Sequence, residues 1–206
     1  MSDGRVSRGR ETVRRSHAGS GVDGVRQRLF VAVPLPEGLL PSVQQAQASL
    51  PHISGLRILG REQLHVTLAF IGEVDEEKAR AACAVVAAVP TDLGGEGVLD
   101  GFLLLPSPGR ARVVTLAVRD EEGAFARLFE HVMSGLERNG VMQREKRPFR
   151  AHLTIARLRA PAALRPKYEC EEAPYPLESV CLYRSELKRE GARYTVLERT
   201  RLERWA

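Results

Sequence analysis

The chain has 206 residues, of which 43% are hydrophobic and 28% are charged, and its formal net charge is +5. This length suits one domain with a substantial core, and the composition excludes a collagen, a disulfide-stapled miniprotein and a wholly disordered chain. No apolar run approaches the roughly 18 residues that a membrane helix needs, so we expect no membrane contact.

Residues 1–27 are rich in glycine, serine and arginine and contain almost no large apolar side chain. Such a segment buries too little surface to offset its ordering entropy, which predicts a disordered basic extension before a single domain at 28–206. Six arginines fall within the extension, so the remainder is nearly neutral. A near-neutral domain does not favour a general duplex-binding surface, and any nucleic acid is expected to bind at a small site.

From residue 28 onward, short strands alternate irregularly with helices. The predicted elements are strands at 28–33, 56–59, 64–71, 97–105, 112–118, 149–157, 177–187 and 192–199, and helices at 37–50, 76–88 and 121–138. Asp75 is a suitable N-cap for the second helix, and Asn139-Gly140 marks the end of the third. Short strands separated by single turns favour an α+β fold with largely antiparallel sheets. No glycine-rich phosphate loop is present, so no cofactor is expected.

One short pattern occurs twice: His65-Val-Thr-Leu68 and, in the second half, His152-Leu-Thr-Ile155. Each copy lies in a predicted strand, where side chains alternate between faces. His65 and Thr67 therefore share one face, as do His152 and Thr154, while the apolar residues point into a core. A single histidine on a strand is usually structural, but two of only five histidines share this context.

Two imidazoles suit a reaction that needs a general base and a general acid together, because histidine titrates near neutral pH. Threonine hydroxyls can donate to the non-bridging oxygens of a phosphodiester. Zinc is the competing use, but it takes three or four ligands, and neither copy has a carboxylate or second histidine in its strand. The three cysteines also lack metal-ligand spacing. With no apolar signal segment, they predict reduced thiols and a cytoplasmic protein.

Four fragments in order resemble the two-histidine (2H) phosphoesterase superfamily, and most closely its RNA 2′,3′-cyclic phosphodiesterase family, formerly called 2′-5′ RNA ligases. They are the opening strand Arg28–Pro36, the first motif at 62–72, the second motif at 148–157 and the closing hairpin from Leu182 onward. The resemblance implies a bilobal α+β fold with two largely antiparallel sheets, helices on the outer faces and a central cleft. It also implies metal-free hydrolysis of RNA 2′,3′-cyclic phosphate ends to 2′-phosphomonoesters.

Carried over residue by residue, the resemblance makes His65 the proton donor, His152 the proton acceptor, and Thr67 and Thr154 phosphate ligands. Arg157 matches an arginine that often follows the second motif. Strand alternation places it on the opposite face from His152 unless the strand ends or bulges first, whereas Arg150 shares the face of His152. Both arginines remain candidates for phosphate binding. The residues alone do not decide which histidine is the acid.

Several alternatives stay open at this point. The same site could ligate RNA ends through a 2′-5′ bond, or the chain could be a non-catalytic module that binds RNA or nucleotides. Phe30, Phe149 and Tyr183 could stack on a nucleobase, although core packing is the commoner role for such residues. The expected partner is RNA or a nucleotide with a 2′,3′-cyclic phosphate end, and the protein is expected to be a monomer.

Overall fold

The computed structural model describes residues 26–144, 147–167, 170–188 and 191–203. The predicted basic extension therefore lies outside the described residues except for its last two positions. Among the helices within these ranges, none combines the length and the apolar character needed to cross a bilayer.

The described elements follow the predicted order closely. They are β1 (Gln27–Pro34), α1 (Leu40–Ala48), β2 (Leu56–Ile58), β3 (His65–Val74), α2 (Glu76–Ala87), β4 (Glu96–Leu105), β5 (Ala111–Arg119), α3 (Ala124–Arg138), β6 (His152–Ala162), β7 (Ala173–Pro176), β8 (Ser179–Lys188) and β9 (Gly191–Arg201). Strand β7 is not predicted from the sequence, since two of its four residues are prolines. It lies at the edge of the sheet, the place where a strand tolerates proline.

Local hydrogen bonds explain where the helices begin. The Asp75 carboxylate accepts from the backbone N–H of Lys78 at 2.9 Å, which confirms the predicted N-cap of α2. Helix α3 begins three residues later than predicted, because the Asp120 carboxylate accepts from the N–H groups of Phe125 and Ala126. Gly123 precedes α3 with φ of 70°, a left-handed conformation that glycine adopts at little cost.

The strands are ordered β7-β4-β5-β6-β3-β1-β8-β9, with β2 paired to β6, and every described pair is antiparallel. The predicted α+β class with largely antiparallel strands is therefore confirmed. The two halves are linked by hydrogen bonding where β3 meets β6, at Val66 opposite Leu153. The two predicted sheets are thus two halves of one sheet joined at a single paired position.

One continuous core runs through both halves. Val66 and Leu153, the apolar residues of the two motifs, are fully buried in it with residues of α2 and α3 such as Val86 and Leu128. Helix α2 packs against β1, β8 and β9, and α3 packs against β3 and β4. Because side chains alternate along a strand, the histidines and threonines of the motifs lie on the face turned away from this core.

Strand β3 contains a bulge at the last residue of its motif. Val31 of β1 pairs with Ala69 and Ala32 pairs with Thr67, so Leu68 has no partner of its own. Leu68 and Ala69 are both buried. The extra residue reverses the alternation, and Phe70 returns to the face of Thr67.

Strand β6 contains the same irregularity at the equivalent place. Thr115 of β5 pairs with Thr154 and Val114 pairs with Ala156, which leaves Ile155 as the extra residue. The Ile155 carbonyl accepts from the Gln47 side-chain amide at 3.0 Å, so a residue of α1 supports the bulge. Arg157, five residues after its histidine as Phe70 is after His65, is thereby exposed on the face of His152.

Candidate active site

His65 lies at the start of β3, half-buried and surrounded by aromatic rings. Its ring centroid is 4.9 Å from Phe30, 5.4 Å from Tyr194 and 6.0 Å from Tyr183. Phe30 and Tyr183 stack on each other at 5.0 Å and are themselves buried, which supports the packing role expected for them. The first motif therefore presents its imidazole from an aromatic wall built by β1, β8 and β9.

This environment holds His65 neutral. Burial among the rings lowers the pKa of His65 from 6.5 to about 4, and the positive charge of Arg157 acts in the same direction. A smaller contribution comes from His152, so charge on one histidine affects the other. A hydrogen bond to the backbone of Gln63, two residues earlier, opposes the shift without cancelling it.

His152 lies at the start of β6 in a different setting. Its Nδ1 is 2.8 Å from the backbone carbonyl of Arg150, also two residues earlier. A carbonyl oxygen only accepts hydrogen bonds, so Nδ1 carries the proton of the neutral ring. Nε2 is then left with its lone pair, and the ring is held in one orientation.

Two adjacent cavities bring the motifs together. One, of about 520 Å³, is lined by His152 with Arg150, Phe149 and apolar side chains of α3 and β4. The other, of about 390 Å³, is lined by His65 with several cationic side chains. Thr67 and Phe70 line both cavities, so they form the boundary between the two histidines.

The predicted phosphate ligands divide between these cavities. Arg150 lines the cavity of His152, and Arg157 lines the cavity of His65. The β6 bulge therefore decides the question that alternation left open for Arg157, and both arginines face the site. Thr154 is half-buried on the same strand face as His152 and stands outside the lining of both cavities.

Several residues that face the site are not predicted from the sequence. Phe70 is 48% exposed, and the guanidinium of Arg28 lies 4.9 Å from its ring centroid. Tyr194, from the closing hairpin, contacts the His65 ring edge-on. One signal was available for Phe70. The repeat extends to His-x-Thr-x-Ala-x in both copies, which places Phe70 and Arg157 in equivalent positions.

The other aromatic prediction concerned Phe149. It stacks in parallel on Phe129 of α3 with ring centroids 4.3 Å apart, and both rings line the His152 cavity. Phe149 is thus packed and partly accessible at once. Across the described ranges, no group of three or more His, Cys, Asp or Glu side chains is placed so that it could hold a metal ion.

Comparison with known proteins gives one consistent family. Residues 33–115 match the family model described as LigT like Phosphoesterase. The RNA 2′,3′-cyclic phosphodiesterase of Thermus thermophilus is 35% identical over 182 residues, which cover 84% of this chain and 88% of the relative. That of Archaeoglobus fulgidus is 37% identical over 64% of this chain and 73% of the relative.

Solved structures agree with the sequence matches. TT0787 of Thermus thermophilus superposes with a TM-score of 0.71 at 32% identity, covering 85% of this chain and 97% of that one. Escherichia coli LigT complexed with 3′-AMP superposes with a TM-score of 0.70 at 30% identity, covering 86% and 99%. The fold, the repeated motif and the relatives all lead to the same result: this chain belongs to the LigT-like phosphoesterases, within the 2H phosphoesterase superfamily.

Proposed function

We propose that this protein hydrolyses the 2′,3′-cyclic phosphodiester ends of RNA to 2′-phosphomonoesters, with no metal ion. Water attacks phosphorus, the bond from phosphorus to the 3′ oxygen breaks, and the proton lost by water is balanced by one given to that oxygen. The observation that carries the proposal is the pair of histidines, one from each motif, facing adjacent cavities that share Thr67 and Phe70.

His152 is the residue that accepts the proton from water. The hydrogen bond from its Nδ1 to the Arg150 carbonyl leaves Nε2 as the free acceptor in the neutral ring. A base must present a lone pair in a defined direction, and the short link to the backbone supplies that orientation. The assignment agrees with the role that the family resemblance implies.

His65 is the residue that donates the proton to the 3′ oxygen, and the substrate has to help it do so. In the free protein, burial and Arg157 hold the pKa of His65 at about 4, so the ring is neutral near pH 7. A bound phosphodiester brings a negative charge, which favours the protonated ring. His65 therefore becomes protonated as the substrate binds. In the free protein its neutral ring adds no second positive charge beside Arg157.

Thr67 and Arg157 stabilise the charge that develops on the phosphoryl oxygens. The antiparallel register at Val66 and Leu153 puts Thr67 on the side of His152 and Thr154 on the side of His65. Each threonine is therefore opposite the histidine of the other motif in the strand pair. Donors of this type act most strongly where they are already oriented before the reaction, as strand residues are.

The test is an assay with a nucleoside 2′,3′-cyclic phosphate in the presence of EDTA. We expect turnover that EDTA leaves unchanged and a product that is the 2′-monophosphate, identified by phosphorus NMR against both isomers. Formation of the 3′ isomer would contradict the assigned leaving group. Loss of activity with EDTA and recovery with zinc would contradict the metal-free mechanism.

Variants separate catalysis from binding. His65→Ala and His152→Ala should each lower kcat by about 10²- to 10⁴-fold, the usual contribution of a general acid or base. The matched control is His52→Ala, an exposed histidine outside both cavities. A wild-type protein that binds the cyclic phosphate without converting it would support the non-catalytic module, and joining of RNA ends as the main reaction would support the ligase.

A further inference from the structure

One wall of the cavity beside His65 is strongly positive. The proposed reaction requires only part of this positive charge. Arg28 from β1, Arg57 from β2, Arg157 from β6 and Lys188 from β8 all line it. The lining contains no aspartate or glutamate among the described residues. Four different strands therefore bring cations to one pocket of about 390 Å³.

The arginines of this wall are not neutralised within the described part of the chain. Arg28, Arg57 and Arg157 form no ion pair with any described carboxylate, whereas Arg119 elsewhere pairs with three. Lys188 contacts Glu186 at 3.5 Å. Within the described residues, Arg57 forms one hydrogen bond, a long one of 3.4 Å to the Gln63 side chain.

Arg57 and Arg157 stand directly opposite each other in the β2–β6 pair. Like charges at opposite positions destabilise a sheet unless an anion lies between or beside them. The cavity has room for the guanidinium of Arg57 because residue 191 is glycine. A Cβ there would overlap the Arg57 guanidinium, and Gly191 has φ of 131°, a conformation that other residues rarely adopt.

The reacting phosphodiester does not account for this much positive charge. It carries one negative charge and has to lie within reach of His152, which lines the neighbouring cavity. Arg57 and Lys188 line only the cavity of His65. One singly charged group held between the histidines therefore leaves most of this wall without an anion.

We propose that Arg28, Arg57 and Lys188 of this wall form a second phosphate site, which binds the phosphate on the 5′ oxygen of the reacting nucleotide, while Arg157 binds the reacting phosphate. In RNA this phosphate links the terminal nucleotide to the one before it. The site makes the protein selective for cyclic ends that carry such a phosphate over free nucleoside 2′,3′-cyclic phosphates. This inference rests on the proposed function and specifies its substrate class.

Three substrates with one base test the inference: the nucleoside 2′,3′-cyclic phosphate, the same compound with a 5′-phosphate, and a dinucleotide ending in the cyclic phosphate. We expect kcat/KM to be about tenfold higher or more for the two compounds with the extra phosphate, as for one added charged hydrogen bond. The advantage should shrink as salt rises, because the contact is ionic.

Arg57→Gln should reduce that advantage by about tenfold and change kcat/KM for the simple nucleoside substrate by less than about twofold. Lys188→Gln is a second variant with the same expected direction. The matched control is Arg138→Gln, which removes an equal charge from an exposed position at the end of α3. It should leave all three rates unchanged.

The outcomes separate the two claims. Turnover of all three substrates at equal kcat/KM, or an advantage that survives Arg57→Gln and Lys188→Gln, would overturn the second phosphate site and leave the proposed function intact. No turnover of any substrate would overturn the proposed function together with the inference. A gain for the dinucleotide alone would show that the second nucleoside supplies the affinity, which also overturns the inference.

Discussion

The two halves of the site have the same backbone and different surroundings. In each, a histidine opens a strand, a threonine follows on the same face, and a bulge returns the fifth residue after the histidine to that face. Around His65 the neighbours are three aromatic rings and Arg157, and they keep the imidazole neutral. His152 instead forms a hydrogen bond with the Arg150 carbonyl, which orients the ring. The repeated strand motif thus places His65 and His152 in equivalent backbone positions. Their different neighbours then give the two imidazoles different chemical properties.

Among these residues, the two threonines are expected to differ most in their contribution to the rate. Thr67 lines both cavities, whereas Thr154 lines neither. Removing an oriented donor to a developing negative charge typically costs about 10²- to 10³-fold in kcat, so we expect a loss of that size for Thr67→Val. Thr154→Val should cost less. Steady-state kinetics on a nucleoside 2′,3′-cyclic phosphate measure both, and equal losses would show that the two hydroxyls contribute alike.

Arg157 and Phe70, which follow the two bulges, should also contribute unequally to kcat/KM. Arg157→Gln removes a positive charge from the His65 cavity, and we expect kcat/KM to fall by about 10- to 100-fold, as for a lost charged hydrogen bond. Phe70→Leu keeps an apolar side chain at the boundary between the two cavities and removes no charge, so it should cost less than about tenfold. A larger effect for Phe70→Leu than for Arg157→Gln would contradict the proposed role of the Arg157 charge.

The smallest expected effect is the change in stability when His65 is protonated. It reports directly on the surroundings of the His65 ring. The folded-state pKa of His65, about 4, lies below the ordinary 6.5, so protonation favours the unfolded state. The stability linked to the neutral ring is therefore complete above pH 6.5 and is lost as the pH falls toward 4. We therefore expect Tm to fall by a few degrees less between about pH 7 and pH 4.5 in His65→Gln than in the wild type. Carbon-13 NMR of labelled histidine should show His65 titrating near pH 4, and at higher pH once a 2′-nucleotide is bound. If the ring titrates near pH 6.5 in the free protein, the surrounding aromatic rings do not desolvate His65 as we infer.

Much of the site can be read from the sequence because it depends on local regularities. Alternation along a strand puts His65 with Thr67 and His152 with Thr154, and the repeat itself shows that the two strands are equivalent. The Asp75 cap and the Asn139 terminus of α3 follow from backbone groups within a few residues. These features need no knowledge of distant contacts. The roles of the two histidines remain proposals, which rest on the family resemblance and on the hydrogen bond that orients His152.

Other features of the site are determined only by the tertiary structure, because they depend on contacts between segments that are distant in the chain. The bulges at Leu68 and Ile155 exist because of how β3 and β6 pair with β1 and β5, so alternation alone misplaces the side chains that follow. Arg57 faces Arg157 only because a three-residue strand pairs with β6 about one hundred positions later. The neutral state of His65 likewise depends on rings from three other strands, since desolvation is set by what packs around a group and not by its neighbours in the chain.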